Sequence, residues 1–440
     1  MKQNNRQFFL SMFMLGSLFF IFGLVSWVNS ILVPYFKVAC ELETDVQSYL
    51  VTFAFYIAYL VMTIPASFLL NKVGFKRGVE IGLWLLAAGA LLFWPAAMTR
   101  SYAMFLCALF TMGTALAILQ TAANPFVTII GPRESAARRI SIMGICNKFA
   151  GIISPLLFAA AVIRPQDKVT MDAIADGTLV GPAKEQALDA MIQGVILPYV
   201  ILAAVLFIFG FVFYKSSIPD IDPNKDNKSE AEGVKDRKSI LSYPYLILGV
   251  LALFAHTGSQ QISIATINDY AQSMGISMLD AKVFPSFTLG CIMVGYLFGI
   301  ICIPKYLSQQ KALVVCTVTG LILSGLVLLT QNTWVHWFGM DARLSIWFLV
   351  LLGIPNSLIY AGIWPLAIKN LGKWTNLGSS ILVMALSGSA FMTLAYGALA
   401  DKVGLDKAYW LLIPCFLYMI YYSLWGYKVG QDVNNENRYK

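Results

Sequence analysis

Twelve long apolar segments, separated by short polar stretches, fill this chain of 440 residues. Each apolar run is about as long as the α-helix that crosses the hydrocarbon core of a bilayer, roughly 20 residues. A transmembrane β-barrel is excluded, because its strands would be about ten residues long and would alternate in polarity. The sequence therefore predicts an all-α membrane protein. The predicted spans cover residues 8–30, 46–70, 78–98, 102–130, 140–163, 193–214, 242–268, 284–304, 311–331, 344–367, 378–400 and 407–427.

The positions of Lys and Arg predict how the chain is oriented. Most of the 31 basic residues lie in the termini or in the loops on the same side as the termini, including Lys72, Arg133, Arg138, Lys305 and Lys369. Cytoplasmic loops carry such an excess of basic residues, so both termini are predicted to be cytoplasmic. The net charge of +8 is an orientation signal on this interpretation, and we expect no nucleic-acid partner.

One long charged stretch, residues 215–240, separates two groups of six spans. Its composition, rich in Asp, Asn, Lys and Ser, is typical of a flexible linker. We therefore predict an N-terminal six-helix half over residues 1–214 and a C-terminal six-helix half over residues 241–440.

The two halves share a proline in corresponding spans, Pro125 in the fourth and Pro365 in the tenth. Interrupted helices at corresponding positions of two repeats indicate a central binding site where the repeats meet. Membrane helices also tolerate proline without such a site, so this alternative stays open.

Charged residues are rare within the spans. None of the 23 Asp and Glu residues lies deep in a predicted span, whereas Lys148 does. A charge in the middle of a bilayer costs at least about 2.5 kcal/mol, so it is kept where a cavity, a partner or a function offsets that cost. We predict that Lys148 lines a cavity as a donor or a titrating amine; the alternative is a structural amine held by backbone carbonyls. His256 in the seventh span is a second titratable candidate, against the alternative of a satisfied core histidine.

Amide and aromatic side chains at similar depths form the predicted binding site. Gln120 and Asn124 are four residues apart and share a helix face. An amide offers donors and an acceptor and suits the paired hydroxyls of a neutral polyol, while an aromatic ring covers the apolar face of a sugar. The alternative is that such groups only join helices, at roughly 0.6 kcal/mol per contact. The candidate substrate-binding residues are Asn29, Gln120, Asn124, Asn147, Lys148, Gln260, Gln261, Asn356, Tyr360 and Trp364, with Trp27 as a further ring.

Other kinds of site are not predicted. The seven Cys residues are an odd number, lie mostly in spans and show no disulfide or metal-ligand spacing. The sequence has no Gly-rich phosphate loop, no nucleophile motif and no paired carboxylates. We therefore expect no enzyme activity, no cofactor and no metal site.

Both halves contain short motifs that support a family resemblance. These are NSILVP at 29–34, FWPAA at 93–97, AANPFV at 122–127, GP at 131–132, GICNK at 144–148, IKNLG at 368–372 and GSS at 378–380. Together they resemble the fucose–galactose–proton symporter family of the major facilitator superfamily. GICNK looks most like the branch that carries glucose, galactose or N-acetylglucosamine, and fucose permeases are more distant. The resemblance implies the twelve-helix fold of the superfamily and alternating access to a central site.

The chain departs from the family pattern at three positions. It has Ser30 where proton-coupled relatives have Asp, Gln120 where fucose permeases have Glu, and Gln260 where glucose-type relatives often have Glu. Each change keeps a hydrogen-bonding group and removes a titratable carboxylate. Family precedent implies proton symport, and the sequence leaves facilitated diffusion, or coupling through Lys148 or His256, open.

The combined prediction is uptake of a neutral monosaccharide, a hexose or an amino sugar, by alternating access. The predicted partners are that sugar, protons and membrane lipid, and a monomer is expected. The predicted location is the bacterial inner membrane, with several passes and both termini in the cytoplasm. The alternative is a transporter-derived sugar sensor that binds without flux, and the sequence does not identify the sugar.

Overall fold

Helices make up nearly all of the regular structure. The computed structural model describes residues 5–130, 136–162, 164–216, 218, 239–303, 306–369, 371 and 374–431. Within these residues, 11 helical segments are long and apolar enough to cross a membrane. The twelfth predicted span is covered by the 3₁₀ turn Lys407–Leu411, which leads directly into the shorter helix Leu412–Leu424. We number the spans 1 to 12 in chain order.

Several spans consist of two helices separated by a single-residue break or a 3₁₀ turn. The bounds are Asn5–Trp27 with Asn29–Ala39 for span 1, Asp45–Val73 for span 2, Phe75–Leu91 with Phe93–Met98 for span 3, Tyr102–Ile129 for span 4, Ala136–Val162 for span 5, Ile196–Lys215 for span 6, Pro244–Ala265 with Ile267–Gln272 for span 7, Val283–Cys302 for span 8, Gln309–Leu329 for span 9, Leu344–Leu351 with Gly353–Ile368 for span 10, Thr375–Met384 with Gly388–Val403 for span 11 and Leu412–Leu424 for span 12. Short 3₁₀ turns cover Ile240–Ser242, Ala385–Ser387 and Gly426–Lys428.

The face opposite the chain termini, which we call the distal face, carries structure that the hydropathy pattern does not predict. Two helices, Pro165–Ala175 and Pro182–Gln193, lie between spans 5 and 6, and the one-turn helix Met278–Ala281 lies between spans 7 and 8. Spans 9 and 10 are joined by an antiparallel hairpin of strands Trp334–Trp337 and Met340–Arg343. These segments are short or polar, so apolar periodicity does not reveal them.

Neighbouring spans within each half pack closely at glycines. A Cβ added at Gly113 of span 4 would overlap the carbonyl oxygen of Phe55 in span 2. A Cβ added at Gly388 of span 11 would overlap the carbonyl oxygen of Phe254 in span 7. Lipid gives no hydrophobic drive between helices, so close backbone approach at small residues supplies much of the packing energy. Span 4 is therefore packed tightly against span 2, and span 11 is packed tightly against span 7.

The two halves meet at the distal face through Lys37, Asp45, Tyr49, Asp269 and Asp401, which we call the distal cluster. The Tyr49 hydroxyl donates to Oδ2 of Asp269 over 2.9 Å, and the Lys37 ammonium lies 2.5 Å from the Asp45 carboxylate. The carboxylate of Asp401 accepts the first two backbone amides of span 2, at 2.7 and 3.2 Å. The cluster holds spans 2, 7 and 11 together.

Asp269 corrects one expectation from the sequence. Span 7 continues to Gln272, beyond its predicted end at residue 268, because the helix resumes at Ile267 after a break at Thr266. Asp269 therefore lies inside a membrane-spanning segment, and it is 6% exposed. Asp269 lies three residues before the end of span 7, so it is buried without lying deep in the span, and the Tyr49 hydroxyl and the nearby Lys37 offset its charge.

The predicted linker lies mostly outside the described residues. Span 6 ends at Lys215 and the next described helical turn begins at Ile240, while residues 219–238 are not described. The domain boundaries at residues 214 and 241 therefore stay a prediction.

Candidate substrate site

Lys148 lies in the middle of span 5 and is 8% exposed. Its ammonium is 4.1 Å from the centroid of the Trp27 ring, which belongs to span 1. A cation over an indole face is attracted by the ring quadrupole, by about 2 kcal/mol when the pair is desolvated. Among the residues that the structure describes, no carboxylate forms an ion pair with Lys148. The amine is therefore held at the boundary between the halves by an aromatic ring and not by an opposite charge.

Asn147, the residue before Lys148, joins spans 1 and 5. Its Oδ1 accepts a bond of 3.3 Å from the Trp27 indole, and its Nδ2 donates to the carbonyl of Phe19 over 3.3 Å. Both ends of the amide are thus used between helices. In this structure Asn147 therefore joins helices, which is the alternative that the sequence left open. Its role as a sugar ligand stays a prediction.

Gln120 lies in span 4 and is partly exposed. Its Nε2 donates a bond of 2.7 Å to the hydroxyl of Tyr59 in span 2. Tyr59 is a residue that the sequence analysis missed. The available signal was the pair of hydroxyls that Tyr56 and Tyr59 place in an otherwise largely apolar span, since a buried tyrosine hydroxyl usually finds a partner.

The C-terminal half contributes polar groups that lack a partner. Both amide atoms of Asn356 in span 10 are buried and unpaired among the described residues, as are Nε2 of Gln261 and Nδ1 of His256 in span 7. Buried polar groups in native proteins are nearly always hydrogen-bonded, so such atoms indicate a bound water or ligand. The rings of Tyr360 and Trp364 stack with centroids 5.5 Å apart on the same span as Asn356.

The two halves bring these groups close to one another. Lys148 of span 5 and His256 of span 7 lie in the same region across the boundary between the halves, as do Tyr59 of span 2 and Tyr360 of span 10. Trp27 packs in one buried cluster with Ile264, Leu289 and Ile292, with Ile152 and Tyr296 against it. Residues of spans 1, 2, 4, 5, 7, 8 and 10 therefore converge at one place.

The remaining predicted site residues, Asn29, Asn124 and Gln260, belong to spans 1, 4 and 7. Gln260 is partly exposed in span 7, and its backbone carbonyl accepts from the Ser263 hydroxyl over 2.8 Å. Asn29 begins the second helix of span 1, and Asn124 lies one turn after Gln120 in span 4. The side chains of Asn29 and Asn124 lie outside the description, so their place in the site stays a prediction.

Two cavities lie away from this convergence. One, of about 290 Å³, opens at the distal face beside Lys37, Asp269, Gln272 and Ser273. The other, of about 590 Å³, lies between spans 2 and 4 and is lined by apolar side chains with Cys107 and the Thr111 hydroxyl. That hydroxyl already donates to the Cys107 carbonyl, so this cavity lacks the donors and acceptors that a polyol needs.

Residues 15–391 match the family model described as the Major Facilitator Superfamily. The chain belongs to the major facilitator superfamily. This finding confirms the predicted fold class of about twelve helices, and it places the chain in a family of transporters and not of enzymes.

Similar proteins narrow the resemblance. A protein of Brucella abortus named glucose/galactose transporter is 32% identical over 415 residues, which cover 93% of this chain and 92% of that protein. A protein of Escherichia coli K12 named L-fucose-proton symporter is 30% identical over 406 residues, covering 91% and 89%. The solved structure of the transporter FucP in the outward conformation is 28% identical, has a TM-score of 0.68, and covers 95% of this chain and 98% of that chain. The resemblance to the fucose–galactose–proton symporter family is confirmed.

Proposed function

We propose that this major facilitator superfamily protein transports a neutral monosaccharide across a bacterial inner membrane by alternating access. The relatives named for glucose, galactose and fucose transport support the substrate class. The observation that carries the proposal is the set of buried amide atoms of Asn356 and Gln261 that lack a partner in the described part of the chain. They lie in the spans that meet the Lys148 and Gln120 side of the site.

The chemistry of this site suits a sugar. Asn356 offers two donor hydrogens and an acceptor, and Gln120 keeps its acceptor oxygen, so adjacent hydroxyls can be bound in pairs. The stacked rings of Tyr360 and Trp364 offer an apolar surface for the C–H face of a pyranose. The Lys148 ammonium adds up to three donors. Leaving such buried groups unpaired costs about 1 to 3 kcal/mol each, so a bound sugar that pairs them recovers a large part of its own desolvation cost.

The orientation that we propose places both termini in the cytoplasm and the distal face outside. The excess of Lys and Arg on the side of the termini supports it. With that orientation, the distal cluster lies at the outer end of the boundary between the halves and joins them there. Sugar taken up from outside would enter after these contacts separate.

Energy coupling has two open possibilities, which are facilitated diffusion and proton symport. One relative is named as a proton symporter, which supports proton coupling. This chain has Ser30, Gln120 and Gln260 at positions where the resemblance implies carboxylates, and none of these side chains titrates. We propose that Lys148 acts first as a donor to the sugar, with Lys148 and His256 as the candidate proton carriers within the site.

Uptake into proteoliposomes tests the function directly. Purified protein should carry radiolabelled glucose, galactose, fucose or N-acetylglucosamine, and Asn356→Ala should slow uptake of the favoured sugar. Glu43→Ala, at a residue exposed on the distal face, is the matched control and should keep the parent rate. Saturable sugar binding without any uptake would replace transport by the sensor alternative, although the relatives above are named as transporters or symporters.

A further inference from the structure

The hydroxyl of Tyr59 bonds to the Nε2 end of the Gln120 side chain. Tyr59 is 1% exposed in span 2, and its hydroxyl oxygen accepts the bond of 2.7 Å from Nε2 of Gln120. The Tyr59 ring is stacked on Tyr56 with centroids 5.9 Å apart, and the Thr63 hydroxyl donates to the Tyr59 carbonyl over 2.5 Å. Burial of the Tyr59 ring and its stacking on Tyr56 therefore restrain where the hydroxyl oxygen lies.

An amide has two chemically different ends, so its orientation decides what it offers a ligand. The terminal torsion of a glutamine is broad and roughly two-fold, and rotation about it exchanges the donor and the acceptor end. In this structure Nε2 is directed at Tyr59, so Oε1 is the end left for a ligand. No other described side chain bonds to Oε1, and Gln120 is partly exposed at the boundary between the halves.

We propose that Tyr59 is a positioning residue for substrate specificity: it fixes the Gln120 amide so that Oε1 accepts a hydrogen bond from a sugar hydroxyl. The inference rests on the proposed sugar transport and adds the role of one residue within it. The hydroxyl that Gln120 recognises is thus required as a donor, and an analogue that can only accept is disfavoured there.

A carboxylate in place of the amide would not need such help. Both oxygens of a glutamate accept hydrogen bonds, so rotation of its terminal group leaves an acceptor facing the ligand in either orientation. The dependence on Tyr59 is therefore a property of glutamine at position 120. This contrast separates a positioning role from a general contribution of Tyr59 to packing.

The test measures discrimination between a hydroxyl and a fluorine. Uptake of labelled glucose and galactose into proteoliposomes is inhibited by the unlabelled sugar and by each of its monodeoxy-monofluoro analogues, in which fluorine cannot donate. For the unaltered protein, we expect at least one ring position at which fluorine raises the inhibitory concentration about 5-fold, the equivalent of one hydrogen bond. The ratio to follow is the inhibitory concentration of the fluoro analogue divided by that of the unlabelled sugar. In Tyr59→Phe this ratio should fall to near 1 at that ring position, while the ratios at the other positions stay as in the parent.

Two further variants complete the design. Tyr56→Phe removes the hydroxyl of the stacked neighbour, which bonds to no described residue, and it should keep the parent ratio. In the Gln120→Glu background, Tyr59→Phe should leave the ratio unchanged, because a carboxylate needs no orientation. This double variant also shows that loss of the tyrosine hydroxyl does not unfold the site.

The outcomes are distinguishable. A parent ratio that survives in Tyr59→Phe at every ring position, or an equal loss in Tyr56→Phe, would overturn the role of Tyr59 and leave sugar transport intact. If the unaltered protein carries none of the four sugars tested for its function, the proposed function and this inference fail together.

Discussion

The hydroxyl of Tyr49 in span 2 donates to Oδ2 of Asp269 in span 7 over 2.9 Å, and this bond crosses between the two halves at the distal face. Asp401 of span 11 reinforces it by accepting the first two backbone amides of span 2. The start of a helix carries a partial positive charge and free N–H groups, so a carboxylate there is stabilised. These hydrogen bonds join the two halves at the distal face.

Removing the Asp401 carboxylate should favour separation of the halves at this face. Loss of a side chain that satisfies helix N-terminal amides costs about 0.5 to 2 kcal/mol. We expect Asp401→Ala to raise the fraction of molecules open at the distal face by a factor of roughly 2 to 30, the equivalent of about 0.5 to 2 kcal/mol. The readout is the rate at which a maleimide labels Gln272→Cys, which lies beside the distal cavity, after the seven native Cys residues are replaced by Ser.

Asp341→Ala is the control for this experiment. Asp341 lies on the same face, in the hairpin, with its side chain 80% exposed, and its carboxylate is hydrogen-bonded to His336 of the same hairpin. In the Asp341→Ala variant, the maleimide should label Gln272→Cys at the parent rate. Equal labelling in Asp401→Ala and the parent would show that Asp401 does not hold the face closed.

Lys148 should be essential for transport, and an imposed proton gradient should matter little at pH 7. The buried amine lies over the Trp27 ring, and the carboxylates that the family resemblance implies are absent from positions 30, 120 and 260. We therefore expect Lys148→Ala to abolish uptake in proteoliposomes, while Lys311→Ala, at an exposed lysine, keeps it. Steep gradient-driven accumulation that survives Lys148→Ala and vanishes in His256→Ala would make the histidine the proton carrier instead.

Gln120 and Asn147 should respond differently to truncation. Gln120→Ala leaves a ligand hydroxyl unpaired, at about 1 to 3 kcal/mol, and should weaken sugar binding roughly 5-fold to 150-fold. The sequence predicted the same weakening for Asn147→Ala. Because both ends of Asn147 join spans 1 and 5, we also expect this variant to lose about 1 kcal/mol of stability.

Isothermal titration and thermal unfolding of the same preparations separate these two effects. If both variants bind every tested sugar as the parent does, the site lies elsewhere. If Asn147→Ala binds normally but unfolds earlier, Asn147 is a structural amide and leaves the list of sugar ligands.

The orientation is tested by labelling intact cells with an impermeant maleimide, again in a background without native Cys. Ser229→Cys in the linker should stay unlabelled until the cells are opened, because the excess of basic residues predicts a cytoplasmic linker. Phe338→Cys in the distal hairpin, where the side chain is 78% exposed, should react from outside. Efficient labelling of Ser229→Cys in intact cells would reverse the proposed orientation.

Particular residues show how far the sequence alone could lead. Lys148 was identified as a residue that needs a special environment, because the cost of a charge within a long apolar run is a local property of the chain. The number and approximate limits of the spans followed for the same reason, since bilayer thickness acts on each segment separately. The family motifs, spread over both halves, further indicated the superfamily to which the chain belongs.

The pairings that give these residues their environment depend on the tertiary structure. Gln120 meets Tyr59 across 61 positions, and Asp269 meets Tyr49 across 220. Neither contact leaves a periodic or compositional signal, because it arises where separate helices cross. Asp269 was placed outside span 7 because an acidic residue near a helix end looks like the start of a loop in a hydropathy pattern. The hydropathy of successive residues thus determined which segments cross the membrane. Only the packing of the helices decided which polar groups lie together in the spaces between helices.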